Sequence, residues 1–316
     1  MARFVLIRLA SMVATVAVAS MAIFAALFLA PGSPISFIVG GRSVSPERLA
    51  QLNQQYHLDD PFLVRWWDWS RGAVHGDFGQ SIVRRTDVWS VVEPRLGASV
   101  ILVIYSAILI MIVGVALGML SGLRGGWVDR SVTFVTSLGL ATPAFVAAIV
   151  LIWLFAVELP LFPVFGGGSG LADQLYHLTL PAVALALAGG AYVARVTRAA
   201  VREENQREHV ETARARGLPE RLVIRRHVVR NAMIPITTVA GLTVASLIAG
   251  TVVVETAFGI DGIGSLLVQS VQQKDFAVVQ AVTLLMVVAF VVLNTVVDLL
   301  YSVLDPRLSL GRGARG

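Results

Sequence analysis

The sequence predicts an all-α protein that crosses a membrane six times. Three observations carry that expectation: an apolar majority, long runs almost free of charge, and arginines gathered in particular loops. Of 316 residues, 56% are apolar and only 14% charged, against roughly a quarter charged in an average soluble domain. The mean hydropathy of +0.76 excludes disorder, and a soluble globular enzyme is not expected. The bilayer is the expected solvent.

A hydrocarbon core of about 30 Å takes about 20 apolar residues at 1.5 Å each. Six windows fit: Leu9 to Ala30, Ala98 to Gly122, Ser131 to Glu158, Leu178 to Ala194, Ile234 to Val254 and Val278 to Tyr301. The first follows Arg3 and Arg8 but is long for the apolar core of a signal peptide, so it reads as a retained helix. The third is expected as one helix. The fourth, the shortest, is expected to begin with Pro181 in its first turn, where a missing N–H does no harm. It should continue past the lipid through Arg195, Arg198 and Arg202, whose charges are expected to meet lipid headgroups.

Arginine resists translocation, so short arginine-rich loops mark the cytoplasmic side. Ten arginines lie from Arg195 to Arg230, and Arg124 and Arg130 lie between spans two and three, whereas residues 159–177 hold none. Both termini are therefore expected in the cytoplasm. The chain divides into an N-terminal span (1–30), an external cap (31–97), a five-helix core (98–301) with a cytoplasmic loop at 203–233, and a cytoplasmic tail (302–316). In the cap, Ser45 before Pro46 and Asp60 before Pro61 predict two helix starts. Phe62, Trp66, Trp67 and Trp69 form an aromatic helix face expected to pack on the membrane interface rather than on a substrate.

The chain has no cysteine, which excludes thiolate chemistry and disulfides. Lys274, the only lysine, follows Gln273 and not glycine, so no Walker A phosphate loop is present; ATP and Mg are expected on a partner chain. No metal or other cofactor is expected on this one, since its five histidines show no i, i+4 pair. Gly167-Gly168-Ser169-Gly170 has the look of a serine-protease turn near His177 but reads as an external loop. The span interiors hold few ionisable groups; Glu158, Glu255 and Asp298 sit near predicted ends, where hydration or snorkelling can serve them. That speaks against a proton-coupled carrier. Hydroxyls inside the spans, Ser137 and Thr142 in span three and Thr243 and Ser246 in span five, are the candidate pathway residues. Helix packing or local bending is the equal alternative.

The stretch from Arg202 to Pro235 is polar and patterned. Gly217 suits a left-handed helix end and Pro219 the first turn of a new helix, so two short helices meeting at an elbow are expected. Nucleic acid is not an expected partner, because no aromatics interleave with the arginines. At the elbow, Glu211-Thr212-Ala213-Arg214-Ala215-Arg216-Gly217-Leu218 resembles the EAA loop of ABC importer permeases, with Thr212 in place of the first alanine. Its continuation from His227 to Pro235 is similar to the dipeptide, oligopeptide and nickel branch. So are Pro31-Gly32-Ser33-Pro34, Tyr56 to Pro61, Gly76-Asp77-Phe78-Gly79-Gln80-Ser81, Glu255 to Gly264, and Asp298 to Tyr301 with Leu304 to Arg307. The resemblance implies a type I importer fold and an inner-membrane permease performing no bond chemistry. Implied partners are a homologous second permease, two ATPase subunits and an external substrate-binding protein. A carrier working alone and an intramembrane hydrolase are the rival readings.

The arginine asymmetry generates a topology prediction. Single cysteines at Ser169 and Gln272 should react with an impermeant thiol reagent in intact cells, and one at Gln206 only after the cytoplasmic face is opened. External labelling at Gln206 would reverse the assigned orientation.

Overall fold

The computed structural model describes residues 2–28 and 60–304. The Ser45–Pro46 helix start, the Pro31–Pro34 motif, most of the Tyr56–Pro61 motif and the tail from 305 lie outside the described residues. Among the described residues there is no β-sheet, only an isolated antiparallel bridge between Gln80 and Asp87. Ten helices follow in order: α1 (Ala2–Phe28), α2 (Phe62–Val74), α3 (Val88–Arg124), α4 (Gly126–Ala141), α5 (Ala144–Glu158), α6 (Leu171–Asn205), α7 (Glu208–Ala215), α8 (Glu220–Ala257), α9 (Ile263–Gln272) and α10 (Phe276–Leu304). Of these, α1, α3, α6, α8 and α10 are long and apolar enough to span a membrane, and α4 with α5 makes a sixth span if counted as one.

The third span is not the single helix expected. It breaks at Thr142–Pro143, and α4 and α5 meet at 105°. Proline disfavours helical backbone in the residue before it and lacks an N–H of its own. Thr142 accordingly takes extended angles (φ −90°, ψ 114°), and α5 restarts beyond Pro143. The fourth span is longer than expected: α6 begins at Leu171, so Pro181 lies inside it and not in its first turn. The second span starts ten residues before Ala98, with Asp87 Oδ1 accepting the Trp89 N–H at 2.8 Å as an N-cap. The helix thus takes in residues 88–97, which the sequence assigns to the cap. On α2, Pro61 and not Asp60 occupies the position before the first turn.

The centre of the fold is α6, which packs against α3, α4, α5 and α8. Glycine decides how closely. Gly114, Gly118 and Gly122 recur every four residues on α3 and face α6. A Cβ on Gly118 would stand 2.5 Å from the Ala194 carbonyl, one on Gly114 2.9 Å from that of Gly190, and one on Gly122 3.0 Å from that of Arg198. None of these can be filled without moving a backbone. Such small-residue ridges let helices dock where lipid supplies no hydrophobic drive. Where the ridge begins, Ile110 starts a π-helical turn (Ile110–Gly114) and its side chain occupies the space above Gly189 of α6.

Two carboxylates fix the side opposite the arginine-rich loops. Glu255, expected near water, is instead fully buried. It accepts from Ser99 Oγ of α3 at 2.6 Å and from the N–H groups of Gly264 and Ser265 at 2.7 and 3.1 Å. Gly262, which precedes α9, has no side chain to cap it, so Glu255 receives the orphan donors of that helix from a distance. Asp275, also buried, accepts from Ser81 Oγ, while Ser81 Oγ takes the Arg84 N–H at 2.9 Å. The Gly76–Ser81 motif is thereby tied to the α9–α10 connection, with buried Phe78 stacked on Trp89.

The aromatic face of α2 does not meet lipid as a whole. Phe62 and Trp69 lie 5.4 and 5.9 Å from Phe24 of α1, and Trp66 Nε1 donates to Ser20 Oγ at 3.2 Å. Only Trp67 points away.

The glycine ridge yields a contrast. Gly118→Leu should destabilise the folded protein by about 3 kcal/mol or more through overpacking. Gly97→Ala, on an open face of the same helix with nothing within 4 Å, should stabilise it by about 0.5–1 kcal/mol. Thermal unfolding in detergent followed by size-exclusion chromatography reads both; equal behaviour of the two variants would remove the ridge from the account.

Candidate functional site

The elbow forms where the sequence places it, but its second limb is not short. Helix α7 ends at Ala215, Gly217 takes φ +75°, and Pro219 precedes α8. From Glu220 the helix runs without interruption through a π-helical turn at Ile224–Val229 and past Pro235 to Ala257. Span five and the second limb are one rod.

Apolar contacts and two polar nodes hold the elbow. Val210 and Ala213 of α7 are buried with Val201 of α6 and Val223, Val228, Ala232 and Ile236 of α8. Ala213 thus allows close approach inside the elbow and is not on offer to a partner. Arg214, at the centre of the motif, is half-buried and engaged within the chain: it grips Glu220 through two hydrogen bonds of 2.7 and 3.1 Å and Asn205 Oδ1 at 2.7 Å, joining the ends of α6, α7 and α8. The bonds to the Glu220 carboxylate hold its guanidinium above the ordinary value. Glu204, 7% exposed, accepts from Asn231 Nδ2 at 2.8 Å, forms an ion pair with Arg207, whose Nε lies 3.0 Å away, and has His209 Nε2 at 3.3 Å.

What remains outward is Glu211, Thr212, Ala215, Arg216, Gly217 and Leu218, all exposed. The Glu211 side chain makes no hydrogen bond or ion pair among the described residues, although its charge is felt by Arg214. A depression of ≈ 440 Å³ opens beside this face, lined by Glu208, His209, Thr212, Ala213, Arg216, Leu218 and His227. His209 and His227, distant in sequence, lie with ring centroids 6.1 Å apart. No periodicity betrays that pair, because the turn at Gly217 folds one limb back on the other. The Glu204 node escaped the sequence reading for the same reason: Asn231 is 27 residues away.

The three arginines of α6 do not simply reach for lipid. Arg198 makes a two-bond pair with Asp129 of α4, Nη2 to Oδ2 at 2.6 Å, with Arg202 at 3.7 Å from the same carboxylate. Ser121 of α3 donates to Asp129 as well, and Arg195 Nη2 donates to Ser137 Oγ at 2.6 Å. One short carboxylate joins α3, α4 and α6 on the elbow side. A lone Asp among arginines was the available signal.

The hydroxyls singled out in the spans are dispersed. Ser137 is held by Arg195 and donates to the Thr133 carbonyl at 2.7 Å. Thr142 bonds the Leu138 carbonyl at 2.8 Å at the break between α4 and α5. Thr243 is buried with its methyl over Gly189, while Ser246, on the same helix, is exposed. Each of Thr243 and Ser246 also bonds a carbonyl of its own helix at 2.7 Å. Ser169 and His177 meet only through Asp173, whose carboxylate takes the Ser169 backbone N–H at 2.7 Å and lies 3.3 Å from His177 Nδ1. No nucleophile and base are paired there.

Comparison with known proteins matches these features to one family. Residues 114–310 match the model of the binding-protein-dependent transport system inner membrane component, and residues 1–103 match its N-terminal companion. The chain is 36% identical over 313 residues to the glutathione transport system permease protein GsiC of Escherichia coli strain K12, covering 98% of this chain and 99% of that protein. It is 34% identical over 309 residues to the probable peptide ABC transporter permease protein y4tP of Sinorhizobium fredii, covering 96% and 98%. In fold it resembles the inward-facing MetNI methionine ABC transporter, with a TM-score of 0.55 at 15% identity, over 67% of this chain and 95% of that one. A spanning bundle centred on α6, an exposed elbow and near-complete coverage by these relatives lead to one assignment: the chain belongs to the binding-protein-dependent transport system inner membrane component family and is a multi-pass inner-membrane permease subunit of an ABC importer.

Proposed function

We propose that the chain forms half of a translocation pathway for peptides or similar small solutes. It pairs with a homologous second permease, receives substrate from an external binding protein, and is driven by two ATPase subunits that carry ATP and Mg. The chain itself holds no ATP site, and both its termini lie in the cytoplasm. Relatives named for peptide and glutathione transport support a substrate built on peptide bonds.

The observation that carries the coupling role is the division of the elbow into two faces. Glu204, Val210 and Ala213 are buried and Arg214 is engaged by Asn205 and Glu220 within the chain, which fixes the limbs as one body. Glu211, Thr212, Ala215, Arg216, Gly217 and Leu218 are left outward on a projecting turn. A rigid knob with a free face can transmit closure of an ATPase to the spans as body motion.

Gly217 separates strain from docking. Its Cβ position is empty within 4 Å, so Gly217→Val is opposed inside the chain only by the positive φ, at about 1–2 kcal/mol. Gly217→Asn tolerates that φ. Both variants should insert in the membrane, and both should lose ATPase binding or transport-coupled hydrolysis if the surface at Gly217 docks. Normal coupling in Gly217→Asn would assign the effect to backbone strain alone.

The pathway reading for Ser137, Thr142, Thr243 and Ser246 now rests mainly on exposed Ser246 and on Thr142 at the break. Neutral hydroxyls can wet a passing peptide without retaining it. Thr142→Leu combined with Ser246→Leu should slow transport severalfold while basal ATP hydrolysis and binding-protein affinity hold. Full transport by the double variant would take these residues off the pathway.

A further inference from the structure

Helix α2 has two apolar faces, and contacts among the described residues occupy one of them. Phe62, Trp66 and Trp69 dock on α1, and Trp69 and Ala73 pack on the cluster formed by Phe78, Val88 and Leu266. On another face Leu63, Val64, Trp67 and Val74 are exposed, Trp67 by 61% and Val74 by 84%. Leu63, Trp67 and Val74 recur at i, i+4 and i+11, which is one stripe along a helix.

We propose that this stripe is a lipid-binding surface, seated in the boundary between headgroups and acyl chains of the leaflet at the C-terminal end of α1. Helix α2 then lies in the membrane plane as an anchor.

Depth is the first support. The first apolar run of the sequence ends at Ala30, and the residues of α1 that hold α2, Ser20 and Phe24, lie in its C-terminal half, so α2 is held at membrane depth on the side of that leaflet. Orientation is the second. Phe24 touches both Phe62 and Trp69, which are two turns apart on α2, while Trp66 between them reaches Ser20. An antiparallel pair would carry Trp69 further down α1; returning to Phe24 requires that α2 cross it.

The chemistry of the stripe is the third. Its tryptophan is the side chain most enriched at membrane boundaries. Arg71, exposed beside the stripe, can reach lipid phosphate, while Asp68 is exposed on the flank towards water. Val18 and Met21 of α1 are exposed by 70% and 40%, so the helix that carries α2 also presents apolar surface near the contact.

The test uses the assembled transporter reconstituted in bilayers of phosphatidylethanolamine and phosphatidylglycerol. The native chain has no cysteine, so a nitroxide can be placed singly through Leu63→Cys, Trp67→Cys or Asp68→Cys. Power saturation should give an oxygen-to-nickel-complex accessibility ratio severalfold higher at Leu63 and Trp67 than at Asp68. Equal ratios at all three would place the stripe in water and overturn the proposal. Shielding of Leu63 and Trp67 from both reagents would assign the stripe to a protein partner and overturn it equally. Leu63, at the edge of the helix and away from the α1 contact, serves if the tryptophan replacement misfolds.

Discussion

Backbone contact between α3 and α6 sets the spacing to which the remaining helices conform. At Gly114, Gly118 and Gly122 the two chains approach until α3 Cα atoms face α6 carbonyls. That proximity makes α6 a shared wall: α4 lies on it with Gly139 against Ala191, and α8 lies on it with Thr243 against Gly189 and Leu185 against Gly250. In a bilayer, apolar side chains gain little by leaving lipid for protein, so dense van der Waals contact has to supply the specificity. A wider α3–α6 separation would leave Ile110 without its seat over Gly189 and would pull Ser121 from Asp129.

Where the helices leave the apolar region, carboxylates take over from glycines. Glu204 and Asp129 act on the elbow side, Glu255 and Asp275 on the other, and each joins segments far apart in sequence. Glu204, Glu255 and Asp275 are at most 7% exposed. A buried carboxyl group is tolerable only with its hydrogen bonds made, and leaving one such group unsatisfied costs about 1–3 kcal/mol. These groups therefore gain less in net stability than they give in definition. A helix end displaced by one turn would leave a buried carboxylate unpaired.

Much of this architecture was legible in the sequence, and the exceptions have physical causes. Long apolar runs gave the spans, and Gly217 with Pro219 gave the elbow, because backbone preferences there are local. Thr142–Pro143 should have been read as a break, since proline acts on its own neighbour; the apolar run across it masked the signal. Pro181 misled in the opposite direction: a proline is a helix start only if nothing stabilises the turns before it, and here Tyr176 bonds the Leu161 carbonyl at 2.9 Å and Asp173 caps the preceding loop. The roles of Arg214 and Ala213 are invisible in the motif because it describes a surface, while their partners, Asn205 of α6 and Glu220 and Val223 of α8, come from two other helices. Gly114, Gly118 and Gly122 were available as a four-residue repeat.

The unbroken path of α8 has a mechanical meaning. Its 38 residues correspond to about 57 Å at 1.5 Å per residue, a lever that begins at the elbow and ends on Glu255, where it holds the start of α9. Close to the elbow the lever has a compliant joint: the π-helical turn at Ile224–Val229 and Pro235 both relax the regular hydrogen-bond ladder. Small displacements of the elbow can be absorbed there as bending. Beyond that joint the helix is regular, so it links the elbow to the carboxylate at the far end as one stiff element.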